Sequence, residues 1–321
     1  GVETHPPLYH VLLHYWISLL GDSIFVLRYL SVLPGISLVA IVFTLGRRFL
    51  GIHQGLLASV MVGVSSFAIY YSQEARMYTW MVFFCSIALY ADLKWEHNDN
   101  KKWLLIFFIS IVCALFTHYY SLLILFAHNL YRFSRRKHHL HKWTTWINLQ
   151  ILLLVMYLPW VLAQSEFISS KASTRWDQLS LAGINDVWFG TLMTLGIGET
   201  VTSSLEWLGL LLFIPLALGI RVNNQCKTNQ ASSLLFWILV PLLCAFFVAP
   251  IMPFYYSRYL IMILPVYVIL VAHGIGSISR LLGWILGALF LILNMLSLNN
   301  YFFGTQYAKG GYGKLISHIE T

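Results

Sequence analysis

Residues 55–93 read GLLASVMVGVSSFAIYYSQEARMYTWMVFFCSIALYADL, two apolar runs (55–71 and 77–93) joined by the polar turn SQEARM. A helix rises about 1.5 Å per residue, so roughly 20 apolar residues cross the hydrocarbon layer of a bilayer. The two runs therefore read as a helical hairpin through a membrane. The pattern repeats outward from it, at 25–45 on one side and at 103–117, 119–133, 145–162, 206–220, 233–249, 259–276 and 281–298 on the other. Together these make about ten candidate spans. Composition agrees: 59% of the 321 residues are hydrophobic and 10% charged, against about 25% charged in an ordinary soluble domain. A mean hydropathy of +0.72 excludes a single water-soluble core, because a sphere of this size still needs a polar skin. The expected fold class is an all-α, polytopic transmembrane helix bundle.

The net charge of +8 does not indicate a nucleic-acid partner, because the basic residues sit in short loops between apolar blocks. The loops 46–54, 92–103, 132–143, 221–232 and 277–280 hold 13 of the 20 Lys and Arg residues and three of the 12 acids. The positive-inside rule places them in the cytoplasm. Residues 163–205, the turns near 72–76 and 250–258, and both ends of the chain then face outward. In a cysteine-free background, a single cysteine at Arg136 is expected to react only from the cytoplasmic side. Labelling from outside would invert the topology. The run Arg135–Lys142, RRKHHLHK, reads as a topology signal on the same ground.

Residues 8–20 are too few to span. His10, His14 and Ser18 lie four apart, giving a polar stripe on an apolar helix, and Pro6 and Pro7 suit its first turn. This segment is predicted to lie flat on the outer surface as an interfacial helix. The domain reading is thus 1–24 as an external loop end with that helix, 25–298 as the bundle, and 299–321 as the start of an external segment. Gly55, Ser59 and Gly63, four apart, mark a close helix-packing face. Four cysteines show no disulfide or zinc spacing. The start at Gly1, without Met or a preceding apolar segment, predicts a piece of a longer protein.

Four polar groups gather at the outward ends of the spans. Glu74 and Arg76 interrupt apolar sequence at the turn of the hairpin; ionisable groups at membrane depth are costly and usually face a wet cavity. Arg258 stands between Tyr256 and Tyr259, His118 and Tyr119 occupy the turn THYY, and His5 precedes the two prolines. Taken singly, each has a plainer account as a helix cap, a headgroup anchor or an aromatic belt. Taken together on one face, they suit an anionic lipid-linked substrate, because guanidinium holds phosphate through paired, charge-assisted hydrogen bonds. His10 and His14 have metal-compatible spacing but no acidic partner between them, and nothing demands a metal or another cofactor.

The segments HPPLYHVLLHYWISLLGDSIFVLRYLSVLPG (5–35), GRRFLG (46–51), YYSQEARMY (70–78), THYYSLL (117–123) and SRYLIMILP (257–265) resemble the membrane glycosyltransferases related to protein O-mannosyltransferases, with the lipid A aminoarabinose transferases as relatives. The resemblance runs from His5 to about Leu264. It implies a GT-C fold, a polyprenyl-phosphate sugar donor and an inverting transfer of hexose or pentose to a lipid, glycan or protein acceptor. It also implies a site facing outward from the plasma (inner) membrane of a prokaryote. The family's base is an acidic residue upstream of the HPPLY segment. Glu3 stands too near the prolines to match it, so the first span and first external loop are expected to lie before Gly1. Glu74 is then the catalytic candidate within the chain. His5, Arg76, Tyr78, His118, Tyr119, Arg258 and Tyr259 are the substrate-binding candidates, with Arg76 and Arg258 on the phosphate. The competing reading is a secondary transporter or lipid-linked glycan flippase. The gathering of polar groups at one face, rather than at the membrane midplane, weighs against it.

Overall fold

The computed structural model describes residues 5–135, 140–173, 185–225, 231–248 and 256–304. Among them the chain is helical and contains no strand. Helices α1 (Leu8–Leu20), α2 (Ile24–Leu50), α3 (Ile52–Val64), α4 (Ser66–Ser72), α5 (Tyr78–Asn98), α6 (Lys101–Thr117) and α7 (Ser121–Ser134) form the first half. The second half holds α8 (Leu140–Ser173), α9 (Thr191–Ile197), α10 (Ser203–Glu206), α11 (Phe213–Gln225), α12 (Ala231–Val248), α13 (Leu264–Ser277) and α14 (Arg280–Phe303). A π-helical turn (Asn185–Gly190) leads into α9, and 3₁₀ segments lead into α11 (Trp207–Leu212) and α13 (Ser257–Ile263).

Each of the ten candidate spans falls on helix, but fewer helices meet the length and composition of a span. Among the described residues five do: Ile24–Leu50, Lys142–Gln164, Ser204–Arg221, Ser257–Ser277 and Arg280–Phe303. The bent pair α3–α4 makes a sixth. The physical reasons for the difference are local. Helix α5 carries Asp92, Lys94 and Glu96 in its last turns, while α6 and α7 have only 17 and 14 residues.

The core is organised on α13 and its 3₁₀ lead, where Leu260 to Ala272 are buried without a break. A helix apolar on every side belongs inside a bundle. Helix α11 crosses it at backbone contact: a Cβ on Gly219 would strike the Leu270 carbonyl, and one on Gly274 the Pro215 carbonyl. The close approach expected at Gly55, Ser59 and Gly63 occurs at Gly55, which meets the backbone of Arg47 and the Cα of Gly46. Gly63 has only Val39 nearby, at 3.8 Å.

The break between α3 and α4 bends the chain by 54° without Pro. Ser65 caps the second half by accepting the Ala68 N–H at 3.3 Å. The Ser66 amide freed by the bend donates to Asn294 Oδ1 at 2.8 Å. A broken helix is tolerated in a membrane only where such groups are satisfied within the protein. The bend re-aims α4, which carries Tyr70 and Tyr71 toward the polar end of the bundle.

Helix α1 has 13 residues, about 20 Å at 1.5 Å per residue. It docks through Tyr9 on Leu30 and Met77, and the Trp16 indole N–H donates to the Val26 carbonyl at 2.9 Å. Val11, Tyr15 and Leu19 form an exposed stripe beside His10 and His14. Residues 1–4 and 305–321 lie outside the described residues, as do 174–184, 226–230 and 249–255 in or beside the loops 163–205, 221–232 and 250–258. So do Glu3 and residues 136–139 of the Arg135–Lys142 run.

Candidate functional site

All eight residues singled out from the sequence converge at one end of the bundle. His118 is the hub. It ends α6 in an extended conformation and is fully buried. Its ring centroid lies 4.7 Å from Tyr119, 5.5 Å from His5, 5.8 Å from Tyr78 and 5.9 Å from Tyr259. The Tyr120 N–H donates to His118 Nδ1 at 3.2 Å, which leaves the proton of a neutral imidazole on Nε2. That nitrogen is buried with no hydrogen-bond partner among the described residues. Burial, and secondly the neighbouring His5, push the imidazole down to about 3. His118 is therefore an uncharged N–H donor across the physiological pH range, not a titrating group.

Arg258 faces the same rings. Its guanidinium stacks on Tyr256 at 4.1 Å and lies 5.6 Å from the Tyr259 centroid. Among the described residues it has no ion pair, and its Nε is buried without a hydrogen-bond acceptor. Arg76 approaches from the hairpin turn: its backbone is held where Ser31 Oγ donates to the Arg76 carbonyl at 3.1 Å, while its side chain is exposed. The charges of both arginines act on the Tyr78 hydroxyl. Glu74, on the same turn, opposes the effect of the Arg258 charge on the Tyr70 and Tyr71 hydroxyls.

Sequence reading missed Glu199. It lies between α9 and α10, and among the described residues its one hydrogen-bond donor is the buried Tyr71 hydroxyl, 3.0 Å from Oε1. Its solvent-reachable carboxylate is nonetheless crowded by protein. Burial holds it above the usual carboxylate range, Tyr71 and Arg258 pull it down, and Glu74 raises it further. The signal in the sequence was the glycine pair of GIGET, Gly196 and Gly198 beside an acid. Gly198 adopts φ +83°, and a Cβ there would collide with the Ser66 hydroxyl.

Beside this cluster, a groove of about 420 Å³ between α1 and α8 is lined by His5, His10, His14 and Trp160 with Pro7, Val11 and Tyr15. Among the described residues no three His, Cys, Asp or Glu side chains are grouped to hold a metal ion.

The arrangement offers paired cationic groups, a neutral N–H donor and a second carboxylate within an aromatic frame. It is equipped to hold an anion beside a hydroxyl-rich group. The family model of the dolichyl-phosphate-mannose-protein mannosyltransferases matches residues 4–162. The chain is similar in fold to the crystal structure of ArnT from Cupriavidus metallidurans in the apo state, with TM-score 0.62 and 15% identity over 88% of this chain and 51% of that one. It is likewise similar to the same protein bound to undecaprenyl phosphate, with TM-score 0.59 and 16% identity over 95% of this chain and 56% of that one. The chain thus spans about half the length of these structures. No curated protein matches it.

Proposed function

We propose that this chain, which shares the fold of ArnT and matches the family model of the dolichyl-phosphate-mannose-protein mannosyltransferases over residues 4–162, serves a glycosyltransferase whose donor is a polyprenyl-phosphate sugar. The observation that carries this reading is Arg258, a guanidinium on an aromatic face with no ion pair among the described residues and a buried, unmet Nε. Such a group is poised for a phosphate. The undecaprenyl phosphate bound by ArnT supports the same class of lipid here. The acceptor is a hydroxyl of a lipid, glycan or protein, and the polar end of the bundle faces outward from a prokaryotic inner membrane.

The acceptor oxygen attacks the anomeric carbon as the bond from that carbon to the phosphate oxygen breaks. The bonding pair leaves with the phosphate, and the acceptor proton passes to a carboxylate. Arg258 and Arg76 stabilise the charge growing on the phosphate, and the His118 N–H is available to one of its oxygens. Phosphate is already a good leaving group, so placement of charge matters more than acid catalysis. The break at Ser65 resembles a transporter's broken helix, but its freed amide is taken up by Asn294, which favours the enzyme.

The test is transfer of labelled sugar from a polyprenyl phosphate by the full-length protein in detergent or liposomes. Arg76→Ala is expected to lower kcat/KM by about tenfold, less than loss of a buried charge-assisted contact, because its side chain is exposed. Arg76→Lys should recover part of it. Full activity in Arg76→Ala would leave Arg76 as a headgroup anchor. Facilitated movement of the lipid without transfer would favour the flippase.

A further inference from the structure

We infer that Glu199 is the residue that reads the sugar of the donor, its carboxylate accepting hydrogen bonds from hydroxyl or amino groups on the ring next to the phosphate. The inference deepens the proposed function and rests on it.

The loop that carries Glu199 is clamped on both sides. Before it, the Asn294 amide donates to the Gly196 carbonyl at 2.8 Å, and the Gly198 N–H donates to Thr194 at 2.9 Å. After it, Thr200 Oγ1 donates to the Ser297 carbonyl at 2.6 Å, and the Asn300 amide donates to the Thr200 carbonyl at 2.8 Å. One face of α14 is given over to fixing this backbone, around a left-handed Gly198. Side chains held on a rigid, over-determined backbone are those whose position matters.

Tyr71 then orients the carboxylate. Its hydroxyl donates to Oε1, leaving Oε2 and the remaining lone pairs of Oε1 open to the site. Glu199 can therefore accept hydrogen bonds from groups outside the protein. A phosphate offers no donor and is repelled by a carboxylate. Yet the Tyr71 ring lies 5.2 Å from Tyr78, and Tyr78 5.8 Å from His118, so Glu199 stands beside the place where the phosphate would bind, within the field of Arg258. The group covalently next to that phosphate is the sugar, and sugar hydroxyls are hydrogen-bond donors of the kind required.

The experiment compares two lipids on the full-length protein: a polyprenyl-phosphate sugar and the same polyprenyl phosphate without sugar. Wild type should bind the sugar-bearing lipid more tightly. Glu199→Gln should raise Kd and KM for that lipid about tenfold, the worth of one hydrogen bond to a charged group. Its affinity for the sugar-free lipid should not change. Tyr71→Phe should give a smaller shift of the same selectivity, and unchanged thermal midpoints exclude unfolding as the cause. An equal loss for both lipids would overturn the assignment and place Glu199 among groups that shape the phosphate site. So would unchanged sugar affinity accompanied by a raised KM for the acceptor, which would move Glu199 to the acceptor side. If wild type binds neither lipid, the proposed function fails first and takes this assignment with it.

Discussion

Replacement of Arg258 by Ala is expected to lower kcat/KM for a polyprenyl-phosphate sugar by on the order of a hundredfold, equivalent to about 3 kcal/mol of lost transition-state stabilisation. Arg258 is part-buried, lies 4.1 Å over the Tyr256 ring and lacks an ion pair among the described residues. Removing it breaks no internal salt bridge, so the loss should appear in turnover and donor affinity rather than in folding. Arg258→Lys keeps the charge but not the planar fork or its fit to the aromatic face, and should recover only part. A charge contact made as the phosphate departs lowers kcat and kcat/KM together, whereas one that only holds the ground-state lipid raises KM alone. Near-native kinetics in a normally folded Arg258→Ala protein would remove phosphate recognition from this arginine.

The polar ends of the spans were legible in the sequence for a physical reason. Glu74, Arg76, His118 and Arg258 each interrupt an apolar run at a turn, and polar groups among apolar residues are visible without a structure. What joins them is longer in range. Nothing local shows that Tyr71 meets Glu199 across 128 positions, and one acid in a long loop resembles any other. The break at Ser65 was not read because no Pro marks it and Gly63, two residues before, was taken as a packing position; two serines and an asparagine 228 residues away make the bend. At the opposite end of the bundle the helices run further than the sequence suggested, for a related reason. Residues 92–103 and 132–143 were counted as charged loops, yet Asp92 and Glu96 belong to α5, Arg132 to α7 and Lys142 to α8, and all four are buried. Two acids and two bases leave the loop count together, so the positive excess of these loops is unchanged while its charges are fewer.

That buried network yields the largest expected effect on stability. Arg132 Nε donates to Asp92 Oδ1 at 3.1 Å and its Nη2 to the Asp92 carbonyl at 3.3 Å, with a further close pair between Nη2 and Oδ1. Its guanidinium lies 4.6 Å from the Trp95 ring and 5.1 Å from Trp146. His128 Nδ1 meets the other Asp92 oxygen at 2.9 Å. Beside them the Tyr131 hydroxyl donates to Glu96 at 2.9 Å, and Lys142 Nζ donates to the Trp95 and Glu96 carbonyls at 3.1 Å each. Asp92→Ala leaves the Arg132 charge buried and uncompensated, a change that costs about 3–5 kcal/mol. Replacing both, as Asp92→Leu with Arg132→Met, removes the stranded charge and should cost far less than the two single changes added together. Reversible unfolding in detergent, followed for the two singles and the double, measures the coupling. If Asp92→Ala loses less than about 1 kcal/mol, the pair behaves like a solvent-screened one, and the C-terminal ends of α5 and α7 are held by their aromatic packing alone. A large coupling instead makes this pair the bolt between α5 and α7, whose opposite ends carry Tyr78 on one and adjoin the His118–Tyr120 turn on the other. The geometry of the polar site then depends on a charge pair at the far end of the same two helices.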